Sequence, residues 1–130
     1  MGYCRDAPRS LRLPECLERG LRTRRAPPLP HLGEWVETPQ GLRARFSLAI
    51  RDDTLVDVRF EATACATLVA YCQALADHET GRPLDATPSL DADALAARLE
   101  GVPPARQDRA ILAVAALRAA LLMTTKEPSP

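Results

Sequence analysis

Two runs of alternating residues flank Asp52-Asp53, and they limit what this chain can fold into more than any other feature. Leu42, Ala44, Phe46, Leu48 and Ile50 occupy one parity of the first run, while Arg43, Arg45, Ser47 and Arg51 occupy the other. The second run places Val56, Val58 and Phe60 (or Ala62) opposite Asp57, Arg59 and Glu61. A period of two is that of a half-buried strand, and two such runs about a short turn predict an antiparallel hairpin, Leu42–Arg51 with Leu55–Ala62. Its charged face can meet water and its apolar face needs a cover. Gly33–Thr38 reads as a third strand, with Trp35 as its inward anchor beside Val36.

The cover follows in the sequence. Ala66–His78 carries Leu68, Tyr71, Cys72 and Leu75 on one helical face, with Thr63 as N-cap and Gly81-Arg82-Pro83 as terminator. Asp91–Glu100 reads as a short helix closed by Gly101. Ala105–Met123 reads as the longest helix, with Ala110, Val114, Leu117 and Leu121 as its stripe. Strands first and helices after predict an α+β fold, a three-stranded antiparallel sheet with helices packed on one face.

Composition narrows the function. Lys+Arg and Asp+Glu each number 17, a balance that argues against nucleic acid as a partner. No apolar run is long enough to cross a membrane, and the charged first residues do not read as a secretory signal. The 4 cysteines form no CxxC pair, so a cytoplasmic protein with reduced thiols is expected. Residues 1–30 carry seven arginines against three acidic residues and five prolines, and read as a basic, proline-rich arm. Within it only Pro14–Leu21 suits a short helix, and Pro27–Pro30 reads as an extended linker. Residues 31–125 then form the domain and 126–130 a polar tail. His78, near a helix C-terminus, reads as a surface histidine favourably charged there. No phosphate loop, carboxylate pair or Ser/His/Asp order stands out, so a non-enzymatic role is expected.

The order of motifs over residues 33–123 resembles the NifU/IscU-type iron–sulfur cluster scaffold domain. Val58–Cys65 sits where that family runs a strand pair into a Gly-Cys step, with Ala64 in place of the glycine. Gly81-Arg82-Pro83-Leu84-Asp85 resembles the family's next turn, and Ala110-Ile111-Leu112-Ala113 the start of its last helix. Val102-Pro103-Pro104-Ala105-Arg106 stands where the family has its chaperone-recognition segment. The resemblance implies cluster ligands from three cysteines, assisted by an Asp and a His. Here Gln40 replaces the first cysteine and Leu42 the Asp, while Asp108 and Arg109 stand for the His and the third cysteine. Only Cys65 remains as a candidate metal ligand.

A [2Fe–2S] cluster needs four ligands, most often thiolates, and a guanidinium offers no lone pair. Iron, a [2Fe–2S] cluster or zinc would therefore require ligands from elsewhere, such as Cys4, Cys16 or a second subunit. Cys65 opens a helix, where free N–H groups favour a thiolate. Cys72, two turns on, reads as core. Three functions follow from the resemblance. The first is a scaffold-like protein of iron–sulfur cluster assembly that acts by binding partners, a cysteine desulfurase or an Hsp70-type chaperone. The second is a persulfide carrier built on Cys65. The third is a metal-free adaptor outside cluster assembly.

Overall fold

A computed structural model describes residues 11–23, 27–84 and 90–126. Along the chain come β1 (Leu11–Arg12), α1 (Leu13–Thr23), β2 (His31–Leu32), β3 (Val36–Glu37), β4 (Arg43–Arg51) and β5 (Thr54–Ala62). Then follow α2 (Ala66–Glu79), α3 (Ala92–Arg98), β6 (Leu99–Glu100), a 3-10 turn (Pro104–Arg106) and α4 (Arg109–Lys126). The expected α+β fold is observed. The hairpin β4–β5 is its centre, with Phe46 opposite Phe60 and Leu48 opposite Val58. Asp52 and Asp53 both adopt positive φ, 53° and 57°, the conformation a two-residue hairpin turn of the right twist demands. On the other side of β4, β2 and β3 lie one after the other as a single broken edge strand. Gly33 sits in the break, where a Cβ would come 2.7 Å from that of Ala120 on α4.

The second strand differs from its simple alternation. Ala49 pairs with Asp57 but Ile50 pairs with Leu55, so Val56 is the extra residue of a β-bulge. The bulge reverses the parity at the start of β5. Leu55 points into the core and Val56 is 44% exposed. Beyond the bulge Val58, Phe60 and Ala62 are buried as expected.

The inner face of the sheet is covered by α2 over β5 and by α4 over β4. α2 is buried on nearly all sides from Thr67 to Ala76, because α1 packs on its back. α1 lies within the stretch read as an arm, yet Cys16 is 1% exposed and Gly20 is buried against Val69 and Gln73. Arg19 pairs with Asp77 and Thr23 bonds Gln73, so this part of the stretch is structural. The linker beyond it lies over the outer face of the sheet. Pro27 gives its carbonyl to Arg59 at 2.8 Å, and the Leu29 N–H donates to Ser47 Oγ at 2.9 Å. Those contacts leave Ser47 2% exposed despite its outward parity. Cys4, the first arginines of the arm, Asp85 and the last four residues lie outside the described residues.

Two further expectations are corrected. Thr63 does not cap α2; Cys65 is the N-cap and makes no side-chain cap bond. The Thr63 hydroxyl is occupied by β4, accepting from the Arg43 N–H at 2.8 Å. Trp35 is not a core anchor. Adjacent strand residues face opposite ways, and Val36 takes the inward position. Trp35 is 37% exposed on the outer face, with Arg43 and Arg45 at 4.4 Å and 4.5 Å from its ring centroid. Asp91 caps α3, accepting from the Ala94 N–H at 2.7 Å, a cap the sequence reading did not assign. Among the described residues no helix is long and apolar enough to cross a membrane.

Candidate functional site

Three connections meet at one end of the sheet. The first is the β3–β4 turn. The Gly41 N–H donates to the Thr38 carbonyl at 2.9 Å, and Gly41 holds φ of 90°, a conformation glycine adopts without strain. This turn leaves Gln40 exposed at its tip, while Leu42 is half-buried against the core. The second is the crossing from β5 to α2. Thr63 is tied to Arg43 by backbone and side chain, and the Cys65 N–H donates to the Thr63 carbonyl at 2.7 Å. Cys65 is thereby fixed in extended conformation at the mouth of α2 and is half-buried. The third is the start of α4, where the Asp108 carbonyl accepts from the Ile111 N–H at 3.0 Å.

Arg109 and Cys65 come together here. Asp108 Oδ1 holds Arg109 Nη1 at 2.6 Å. That pairing with Asp108 and the proximity of the Cys65 side chain, against the lowering effect of burial, raise the Arg109 pKa above its ordinary value. Arg109 is thus a fixed cation beside the sulfur. Its Nε–H is buried and has no partner. On α2, Tyr71 is fully buried with its hydroxyl unpartnered. Burial, and then the charge of Asp108, push its phenol pKa up, so it remains a neutral donor. Cys72 is buried at 0% exposure, and burial with the nearby Cys65 pushes its thiol well above the usual range. It is a core residue, as the sequence reading expects. Cys16 is buried between α1 and α2, with its pKa raised chiefly by burial. Among the described residues no group of three or more His, Cys, Asp and Glu side chains converges. An amide, an apolar side chain and a guanidinium do not fit a [2Fe–2S] cluster.

The segment expected from sequence to bind partners, Val102–Arg106, is split. Val102 is 8% exposed, whereas Pro103, Pro104, Ala105 and Arg106 are exposed. Pro103 is extended, with φ −60° and ψ 142°, but Pro104–Arg106 is a 3-10 turn closed by the Arg106 N–H to the Pro103 carbonyl. The fully extended segment expected of Pro-Pro is therefore confined to its first half. Sequence reasoning missed the buried Tyr71 hydroxyl and the Arg109 Nε, whose isolation depends on packing.

Against known proteins, the family model described as NifU-like N terminal domain matches residues 18–128. The chain belongs to the NifU-like N-terminal domain family. Its fold is also that of a nitrogen-fixing NifU-like protein (N-terminal) from Brucella abortus. That structure has TM-score 0.52 and 19% identity, and the match covers 88% of this chain and 99% of the other. A hypothetical protein solved at 2.3 Å matches with TM-score 0.53 and 15% identity over 82% of this chain and 96% of the other. No curated protein is similar enough in sequence to match. The family match begins within α1, consistent with that helix being part of the fold.

Proposed function

We propose that this NifU-like domain serves iron–sulfur cluster assembly by binding other proteins of that system, without holding a standard [2Fe–2S] cluster on its own. One observation carries the reading: the Arg109 guanidinium, paired with Asp108, occupies the place beside Cys65 where the family resemblance assigns a cysteine. A fixed cation opposes binding of a metal ion there and cannot serve as its ligand. The exposed part of Val102–Arg106 is the candidate contact for an Hsp70-type chaperone, with a cysteine desulfurase as the second candidate partner. Pro103 holds its extended backbone in advance, so docking there loses little entropy. Titration calorimetry with each partner tests this. Binding of either partner, weakened by Pro103→Ala and Arg106→Glu with unchanged melting, supports it; no binding of either at tens of micromolar overturns it.

The proximity of the Arg109 cation to Cys65, half-buried at the mouth of α2, favours a second reading, a persulfide carrier. The Cys65 thiolate would attack the outer sulfur of a desulfurase persulfide. A new S–S bond forms, the old one breaks, and the desulfurase thiolate leaves with its electron pair. Persulfide-specific alkylation of Cys65 after incubation with the desulfurase and cysteine separates the two readings.

A further inference from the structure

Two cations and an imidazole share one cleft without a free carboxylate to balance them. His78 lies in the last turn of α2, Arg82 in the turn that follows, and Arg98 in the last turn of α3. All three line an open cleft of about 410 Å³. The carboxylate in its wall is already engaged: Asp77 pairs with Arg19 and accepts from Gln73 Nε2 at 2.8 Å. Among the described residues neither Arg82 nor Arg98 has an ion-pair partner. Carbonyls at the end of α2 are taken as well. That of Ala76 accepts from the Thr80 N–H at 3.0 Å and its hydroxyl at 2.7 Å, and that of Glu79 from the Arg82 N–H at 3.1 Å. Arg82 Nη2 lies 3.4 Å from His78 Nε2. A guanidinium can only donate, so Nε2 accepts and the ring is neutral. Burial lowers the His78 pKa, and Arg82 and Arg98 lower it further, each outweighing the opposing Glu79. Helix C-termini favour a nearby cation, but that preference does not bring two guanidinia to one imidazole.

We infer that His78, Arg82 and Arg98 form a binding site for a phosphoryl group, carried by a small phosphate ester or present as free phosphate. The three donors come from three elements, so they suit an acceptor with oxygens on several sides. A carboxylate offers two oxygens in one plane. A phosphoryl group offers three in a tetrahedral arrangement, and its bonds to guanidinium are charge-assisted. Its negative charge offsets the repulsion between the arginines and makes the protonated imidazole favourable, so binding takes up a proton at His78. The volume of the cleft falls within the range of small-molecule sites and leaves room for the rest of an ester. Cys65 and His78 stand at opposite ends of α2, about 20 Å apart by helix rise. The site is therefore separate from the end of the sheet described above and does not rest on the proposed function.

The test follows the ring signals of the 2 histidines in the full chain by proton NMR. Inorganic phosphate and, separately, adenosine monophosphate are added at constant pH and ionic strength. His78→Gln assigns the signals, and His31 serves as the internal reference. The His78 signal should shift saturably and its pKa should rise, while His31 stays in place. Without phosphate, Arg82→Gln and Arg98→Gln should each raise the His78 pKa toward 6.5. Each should also weaken phosphate binding by about tenfold or more, the loss of one hydrogen bond to a charged group. Tighter binding of the nucleotide assigns the site to a phosphate ester, and equal binding assigns it to free phosphate; both uphold it. No saturable shift of His78 at tens of millimolar phosphate would overturn the inference. So would equal shifts of His31 and His78, or undiminished binding in the variant carrying both Arg82→Gln and Arg98→Gln.

Discussion

The inner face of the hairpin and the end of the sheet beyond it are built from the same two strands but ask different things of their residues. Along the inner face, Ala44, Phe46, Leu48, Val58 and Phe60 need only be apolar and of suitable volume, a demand many sequences meet. At the sheet's end a cluster would need particular donor atoms at particular positions, and Gln40, Leu42 and Arg109 supply none suited to it. On the function proposed above, this chain keeps the family's fold without the family's cluster ligands. The comparison also explains why fold similarity at 15–19% identity speaks only for the first of the two regions.

The most severe way to break this comparison is to make the inner face particular. Phe60 is 1% exposed and its ring centroid lies 6.1 Å from that of Phe46. Phe60→Asp puts a carboxylate there without a partner, and a loss of about 4 kcal/mol or more is expected in denaturant melts. Wild-type melting would place Phe60 outside the core. A smaller loss is expected where backbones meet. In Gly33→Ala the new methyl group would lie 2.8 Å from the Ala120 Cα, and overpacking of this kind costs about 1–3 kcal/mol. Gly20→Ala meets Val69 Cγ1 at 2.6 Å, but it gains about 1 kcal/mol of helix propensity and should cost less. Equal effects would show that the α1–α2 contact is as rigid as the contact between α4 and the sheet.

Much of the inner face was legible in the sequence because a period of two survives any detail of packing. Three features were not. The bulge at Val56 shifts parity without a glycine to mark it. Trp35 suggested an anchor by its size, although its neighbour Val36 already implied that it faces outward. The helix at Pro14–Leu21 was legible and is observed as α1, but its packing was hidden, since composition reports a basic arm while Cys16 and Gly20 pack four residues apart on one helical face. At the sheet's end, resemblance pointed to Cys65 beside Arg109. The unpartnered Arg109 Nε–H and Tyr71 hydroxyl arise from packing and have no sequence signature.

Smaller effects sharpen the picture at the periphery. Asp91→Ala removes the α3 cap and should cost about 1 kcal/mol, read in the same melts. His78 is half-buried, and burial, then Arg82 and Arg98, lower its pKa below 6.5, against the charged surface histidine expected from sequence. The neutral imidazole is favoured in the folded protein. Its contribution to stability is therefore full above pH 6.5 and declines as pH falls through that value toward the lowered pKa. His78→Gln should flatten the decline in melting temperature between neutral and mildly acidic pH; an unchanged slope would assign that decline to other groups.

Anaerobic reconstitution of the full chain with iron and sulfide, followed by ultraviolet–visible spectroscopy and iron quantification, tests the central claim most directly. The account predicts no stoichiometric [2Fe–2S] absorption in wild type, because Arg109 holds the place of a ligand beside Cys65. A cluster present once per monomer in wild type and lost in Cys65→Ser would contradict it.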